Sequence, residues 1–127
     1  MSKRKSINIP GFKHVNPIPN ASLVGNLVMS GLIVGVDSET HKLPPDLRQQ
    51  CQNMFGHVRS IVEAAGCSMD DIVKMTVWLK DPGDRTILNE EWLKTFPDAQ
   101  SRPARQALPH MGGIDALILC DIVAVRS

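Results

Sequence analysis

The 127-residue chain has no nucleophile elbow, Walker loop, dinucleotide fingerprint, HExxH or CxxC motif. The common signatures of serine hydrolases, nucleotide binders, metalloproteases and thiol oxidoreductases are therefore missing. Its three cysteines, Cys51, Cys67 and Cys120, are odd in number and unpatterned, which argues for a reduced, cytoplasmic protein without disulfides. Four histidines, His14, His41, His57 and His110, form no metal-ligand spacing with one another or with the cysteines, so no metal is expected. Neither sign of charge predominates: 14 basic and 13 acidic residues leave a net charge of +1. No strong field attracts nucleic acid or an acidic membrane. The one basic cluster, Lys3-Arg4-Lys5, is expected to be a loose, solvated tail. No apolar stretch is long enough to span a bilayer, and no signal-peptide pattern opens the chain.

What is present fits one domain, residues 1–127, with residues 1–21 as an extended Pro-rich lead-in (Pro10, Pro17, Pro19). Strands are expected at Leu23-Val24 and over 27–36, with Gly25-Asn26 turning between them. Pro45 suits a first helical position. Leu47, Cys51, Met54, Phe55, Val58, Ile61, Val62 and Ala65 then form a single apolar stripe, stopped by Gly66. His57 falls off that stripe and is expected to be exposed. Residues 72–80 alternate, with Val73, Met75, Val77 and Leu79 on one side. Asp84 is a suitable N-cap for a second helix ending near Phe96, before Pro97. Strands over 102–108 and 116–125 close the chain. The order implies an α+β domain: a single mixed sheet of about six strands with two helices on one face. The last strand is apolar on both parities, so its second face needs a partner. A closed homo-oligomer meets that need.

Inside that last run, Leu117-Ile118-Leu119-Cys120-Asp121-Ile122-Val123-Ala124-Val125, stands one carboxylate. Its burial is unfavourable unless a cation or donors meet it. The natural cations are Arg102 and Arg105, which point to opposite faces of a strand, so only one can share a site with Asp121. An Asp121–Arg105 pair is either a structural ion pair or, if the two are several ångströms apart, an anion-binding catalytic site. In the second case Arg105 holds a substrate carboxylate through its planar fork while Asp121 activates or positions water. Asn89 falls in the expected buried arc of the second helix, with Leu88, Trp92, Leu93 and Phe96. It either ties the helix to a loop or lines a pocket rim. Ser30, an isolated hydroxyl, either caps backbone or orients a ligand.

Several segments, taken in order, resemble one family. Met29-Ser30-Gly31, the helix end Ile61-Val62-Glu63-Ala64-Ala65-Gly66 and the stretch running from Asp70-Asp71-Ile72 to Leu79-Lys80-Asp81 are similar to the Rid (YjgF, reactive intermediate deaminase) family. Asn89 with Trp92, the Pro103-Ala104-Arg105 signature and an acid in the closing strand, Asp121, extend the match over roughly residues 22–126. The resemblance implies a chorismate-mutase-like fold and a homotrimer, built through the uncovered sheet face, with clefts between subunits. It also implies cofactor-free hydrolysis of enamines or imines such as 2-aminoacrylate to a 2-keto acid and ammonia. Carried over by position, Arg105 would bind the substrate carboxylate. Asp121 would position water, helped by the backbone around Ala107, and Ser30, Gly31 and Asn89 would line or support the cleft. Three departures bear on substrate choice. Gln106 and Ala107 stand where members often carry Ser/Thr and Cys, Asp121 stands where glutamate is common, and no tyrosine is available to line the cleft. Two other functions fit the chain: a non-catalytic module for a small carboxylate or keto acid, and a ribonuclease or translation inhibitor. The second lacks a basic stripe, an aromatic platform and a histidine pair.

Overall fold

Alternating side chains and Gly/Pro breaks produce strands β1 (Lys5–Ile7), β2 (Ala21–Val24), β3 (Leu27–Ser30), β4 (Ile33–Val34), β5 (Ile72–Leu79), β6 (Ala104–Pro109) and β7 (Ile118–Val125), with helices α1 (Leu47–Ala64) and α2 (Arg85–Thr95). The computed structural model describes residues 3–110 and 112–127. All seven strands belong to one mixed sheet of order β1-β2-β3-β7-β5-β6, with β4 also paired to β7. Only β5 and β6 are parallel, connected through α2; the other pairs are antiparallel. The α+β architecture agrees with the sequence reading. The five strands located from the sequence, in a sheet expected to hold about six, become seven because 27–36 breaks in two around Gly31-Leu32 and the lead-in supplies β1.

From Lys5 onward the lead-in is part of the fold, which corrects the expectation of a loose tail at that residue. Lys5 pairs with Leu23 and Ile7 with Ala21, and Ile7, Ile9 and Phe12 are buried. Asn20 staples the segment down: its Oδ1 accepts from the Ile9 N–H at 2.9 Å and its Nδ2 donates to the Phe12 carbonyl at 2.9 Å. Such a buried amide with both ends paired is far more stable than an unpaired one.

Helix α1 begins at Asp46, whose carboxylate accepts the Gln49 N–H at 3.1 Å. It ends where Gly66 takes φ 82° and Cys67 N–H donates to the Val62 carbonyl at 2.7 Å, a left-handed stop that favours glycine. The expected stripe is buried, but so is His57, at 5% exposure. The Phe12 ring stacks on it at 5.6 Å, because the lead-in covers more of α1 than its apolar stripe alone indicates.

Helix α2 buries Leu88, Glu91 and Trp92, whereas Leu93 and Asn89 are exposed. The helix is rotated from the expected arc because Glu91 faces α1, receiving Arg48 Nη1 at 2.7 Å and Lys94 Nζ at 3.2 Å. Burial pushes the Glu91 carboxyl up, but these bonds outweigh it and leave the group below its ordinary range. Asp84 precedes α2 without a side-chain cap; instead Asp81 accepts the Gly83 N–H at 2.9 Å in the preceding short turn. In β5 a bulge between Ile72 and Lys74 turns Val73 outward and Ile72 inward, against the expected alternation.

The covered face of the sheet carries Val28, Ile33, Met75, Val77, Ile118, Cys120, Ile122 and Ala124 in one core with α1 and α2. The other face presents Leu27, Met29, Val125 and Leu108, all at least two-fifths exposed. Among the described residues no helix is long and apolar enough to cross a membrane.

Among the glycines described, Gly35 is the most tightly enclosed: an added Cβ would stand 1.9 Å from the Gln50 carbonyl oxygen of α1. Gly56, in the middle of α1, has nothing within 4 Å of such an atom. Gly35→Ala should lower stability by about 3 kcal/mol or more through overpacking, whereas Gly56→Ala should raise it by roughly 0.5–1 kcal/mol through helix propensity. Urea unfolding of both variants checks this; equal midpoints would contradict the packing described.

Candidate functional site

Arg105 stands on β6 opposite Met75, on the covered side of the sheet. Its Nη2 donates to Asn89 Oδ1 at 2.8 Å, and its guanidinium lies 4.9 Å from the Trp92 ring centroid. Asn89 and Trp92 are three apart on α2 and so share a helix face. The amide fixes the guanidinium at one edge while the indole supports its face. Arg105 Nη1 is enclosed and has no hydrogen-bond partner among the described residues. Burial first, and the nearby Arg85 guanidinium second, hold the Arg105 pKa below its ordinary value. Arg85 and Ala107 line one small cavity with Leu79, Pro82, Leu108 and Pro109. Beyond them β6 is the sheet's edge strand, with outward backbone groups that no neighbouring strand pairs.

Asp121 is not in this group. It pairs with Thr76, and Thr76 pairs with Gln106, so the three form a row across the uncovered face; Gln106 Nε2 donates to Thr76 Oγ1 at 3.4 Å. Of the two arrangements weighed from the sequence, the direct Asp121–Arg105 ion pair is not formed within one chain. β5 lies between β6 and β7, which separates the two by roughly 10 Å of sheet and puts them on opposite faces. Ser30 and Gly31 lie farther still, on β3 and just past its end. Ser30 Oγ accepts the Ile122 N–H at 2.9 Å where the ladder between β3 and β7 stops, so the hydroxyl caps backbone. Gly31 is exposed and donates to the Asn20 carbonyl at 3.0 Å. Within one chain the candidates therefore form two groups: Arg105, Asn89 and Ala107 at the β6–α2 edge, and Asp121, Ser30 and Gly31 toward β7 and β3.

The uncovered face also has an apolar cavity of about 290 Å³, lined by Leu32, Trp78, His110, Gly112, Ile114 and Leu119. Gly112 N–H donates to His110 Nδ1 at 2.8 Å, and His110 Nε2 is enclosed without a hydrogen-bond partner among the described residues. None of the thiols is disposed to ionise: burial pushes Cys51 up to about 12 and raises Cys67 and Cys120. No group of three or more His, Cys, Asp or Glu among the described residues could hold a metal. Arg85 went unnoticed in the sequence; its i, i+4 spacing to Asn89 was the available signal.

A family model described as Endoribonuclease L-PSP matches residues 13–111. A RutC family protein of Pyrococcus abyssi is 34% identical over 97 residues, 76% of this chain and 75% of that one. The chain belongs to the Rid (YjgF) family. It is also 30% identical over 95 residues to the 2-iminobutanoate/2-iminopropanoate deaminase of Escherichia coli, 74% of each chain. The crystal structure of E. coli TdcF with bound serine matches with a TM-score of 0.89 at 28% identity, over 97% of this chain and 99% of that one.

In this Rid chain the Asp121 carboxyl is held above its ordinary range by burial, with Lys74 and a backbone donor at Thr76 partly offsetting. The ionised form is therefore disfavoured by folding. Stability tied to this group is fully present below the unfolded pKa near 3.8 and is lost as pH rises through the higher folded value. Asp121→Asn should raise the melting temperature at pH 7 and lose that advantage as the pH falls below about 4. A melting difference that stays constant from pH 3 to pH 8 would contradict this environment.

Proposed function

We propose that this chain hydrolyses small imines and enamines of the 2-aminoacrylate type to 2-keto acids and ammonia, in clefts between copies of itself in a homotrimer. The observation that carries this reading is Arg105, an oriented, half-buried guanidinium with an enclosed, unpartnered donor. Its fork matches the two oxygens of a carboxylate. The named activity of the E. coli deaminase and the serine held by TdcF both involve small carboxylate-bearing amino-acid chemistry.

The reaction needs no electron carrier. Water adds to the imine carbon, forming a C–O bond as the nitrogen takes a proton. The carbinolamine then loses ammonia as the C–N bond breaks and the hydroxyl proton leaves, giving the ketone. An enamine reaches the same imine by protonation at carbon and loss of one N–H proton. Asp121, with a pKa shifted toward neutrality, suits a group that accepts and returns these protons. Ser30 and Gly31 would form the adjoining wall, and the outward backbone at Ala107 would help place water. The separation of the β6–α2 group from Asp121 on the uncovered face supports a site assembled from two copies. So does the apolar surface at Leu27, Met29, Leu108 and Val125.

A second reading has its own observation: Arg105 and Asp121 lie on opposite faces of the sheet, as a non-catalytic holder of a small carboxylate or keto acid would allow. The ribonuclease named in the family model is less well supported. His57 Nε2 is 2.7 Å from the Val36 carbonyl and His110 Nδ1 accepts from Gly112, so neither ring is free at both nitrogens.

The test generates 2-aminoacrylate and related imines in situ with an amino-acid oxidase or PLP-dependent lyase, and follows imine decay and ammonia release. Wild type should accelerate decay, and Arg105→Lys should slow it by about 100-fold or more because lysine lacks the bidentate fork. Sedimentation should give the same trimeric mass for both. Turnover unchanged in Arg105→Lys would overturn the reading. Saturable keto-acid binding without turnover would establish the holder instead, and a monomer in sedimentation would remove the shared cleft.

A further inference from the structure

Arg105 is not the only cation at the β6–α2 edge. Arg85 opens α2 and stands four residues before Asn89, so the two side chains share a helix face about 6 Å apart along the axis. Asn89 bonds Arg105, and Arg85 shares a cavity wall with Ala107, two residues along β6 from Arg105 on the same face. Arg85 thus stands one helical turn from the amide that holds Arg105, and its charge is near enough to help depress the Arg105 pKa. Neither forms an ion pair among the described residues; the pairs there are Arg48 with Glu90 and Glu91, and Lys94 with Glu91. Asp84, the acid beside Arg85 in sequence, forms no ion pair with it among the described residues, and the other acids nearby are committed elsewhere. Asp81 caps Gly83, and Glu90 and Glu91 bind Arg48. Two adjacent unneutralised cations repel each other, and an anion bridging them relieves that repulsion.

We propose that Arg85 binds a second carboxylate, so that the preferred substrate is the 2-imino acid of a dicarboxylic amino acid rather than a monocarboxylate. This rests on the deaminase reading above and specifies its substrate class. Arg105 takes the carboxylate beside the imine carbon, and Arg85 takes the one at the far end of the side chain. Water and the 2-imino diacid give the 2-oxo diacid and ammonia, by the same C–O bond formation and C–N cleavage. Arg85 is exposed and its cavity wall is made by Pro82, Leu108 and Pro109, so the arginine is a positioning group for the substrate tail and does not touch the reacting atoms.

The experiment generates 2-iminosuccinate and 2-iminoglutarate with aspartate and glutamate oxidases, and 2-iminobutanoate with a general amino-acid oxidase. It compares kcat/KM for wild type, Arg85→Ala and Arg85→Lys, with circular dichroism as a check on folding. Wild type should prefer the better diacid by about 10- to 100-fold, the range expected for one charge-assisted contact. The preference should collapse in Arg85→Ala and partly persist in Arg85→Lys. A diacid-to-monoacid ratio that is the same in wild type and Arg85→Ala overturns the proposal while leaving the deaminase reading intact. If no imine is accelerated, the deaminase reading fails, and calorimetric titration with 2-oxoglutarate and 2-oxobutanoate decides the site. Tighter 2-oxoglutarate binding that is lost in Arg85→Ala upholds a two-arginine dicarboxylate site; equal affinities, or none, overturn it.

Discussion

The candidate site depends on one arginine that the chain does not neutralise. Withdrawing a guanidinium from water is unfavourable, and the usual remedy is a carboxylate partner. Arg105 has instead an amide oxygen at Asn89 and the face of Trp92, which stabilise the cation without cancelling its charge. Both come from α2, so the position of that helix over β6 sets the orientation of the fork. The helix is held by Leu88 and Trp92 in the core and by Glu91, a buried acid between Arg48 and Lys94. A structural ion pair on one side of α2 thus fixes the geometry of an unpaired cation on the other. Breaking the pair would leave Glu91 buried and uncompensated, which is among the more damaging changes available to a small domain.

The sheet imposes the second constraint. Helices cover one face, and β7 is apolar on both parities, so Leu119, Val123 and Val125 point away from the core together with Leu27 and Met29 of β3. Through this apolar surface runs the polar row Gln106, Thr76 and Asp121. Covering the face would further desolvate Asp121 and push its carboxyl in the direction burial already drives it. An uncovered face with a raised carboxyl in its middle is therefore poised to change protonation behaviour on association.

Much of this was legible in the sequence, and the failures have physical causes. The period of Cys51, Met54, Phe55, Val58, Ile61 and Val62 gave α1 because a helix packed on a sheet needs a single apolar stripe. His57 was misjudged because its burial is provided by Phe12, a residue 45 positions away in a segment without periodic signal. Leu93 and Asn89 were placed inside because an apolar arc assumes that only apolar groups face the core. Glu91, compensated by Arg48, rotated the helix away from that arc. Val73 was assigned to the wrong face because a bulge resets parity, and no residue type marks a bulge unambiguously. Arg105 and Asn89 were both found as residues, yet their contact was not, since it depends on that same rotation.

The least legible feature was strand order, and it has the largest chemical consequence. β6 and β7 are consecutive in the chain, and consecutive strands usually pair. Here β5 lies between them, running parallel to β6 and antiparallel to β7. Had β6 and β7 paired with Arg105 and Asp121 on one face, guanidinium and carboxylate would have met directly. The acid's pKa would then fall rather than rise, and the fork would have no free donors. The intervening strand keeps the two charges apart, on opposite faces. The topology that hides the relation between them from a sequence reading also leaves the arginine able to bind an anion from outside the chain.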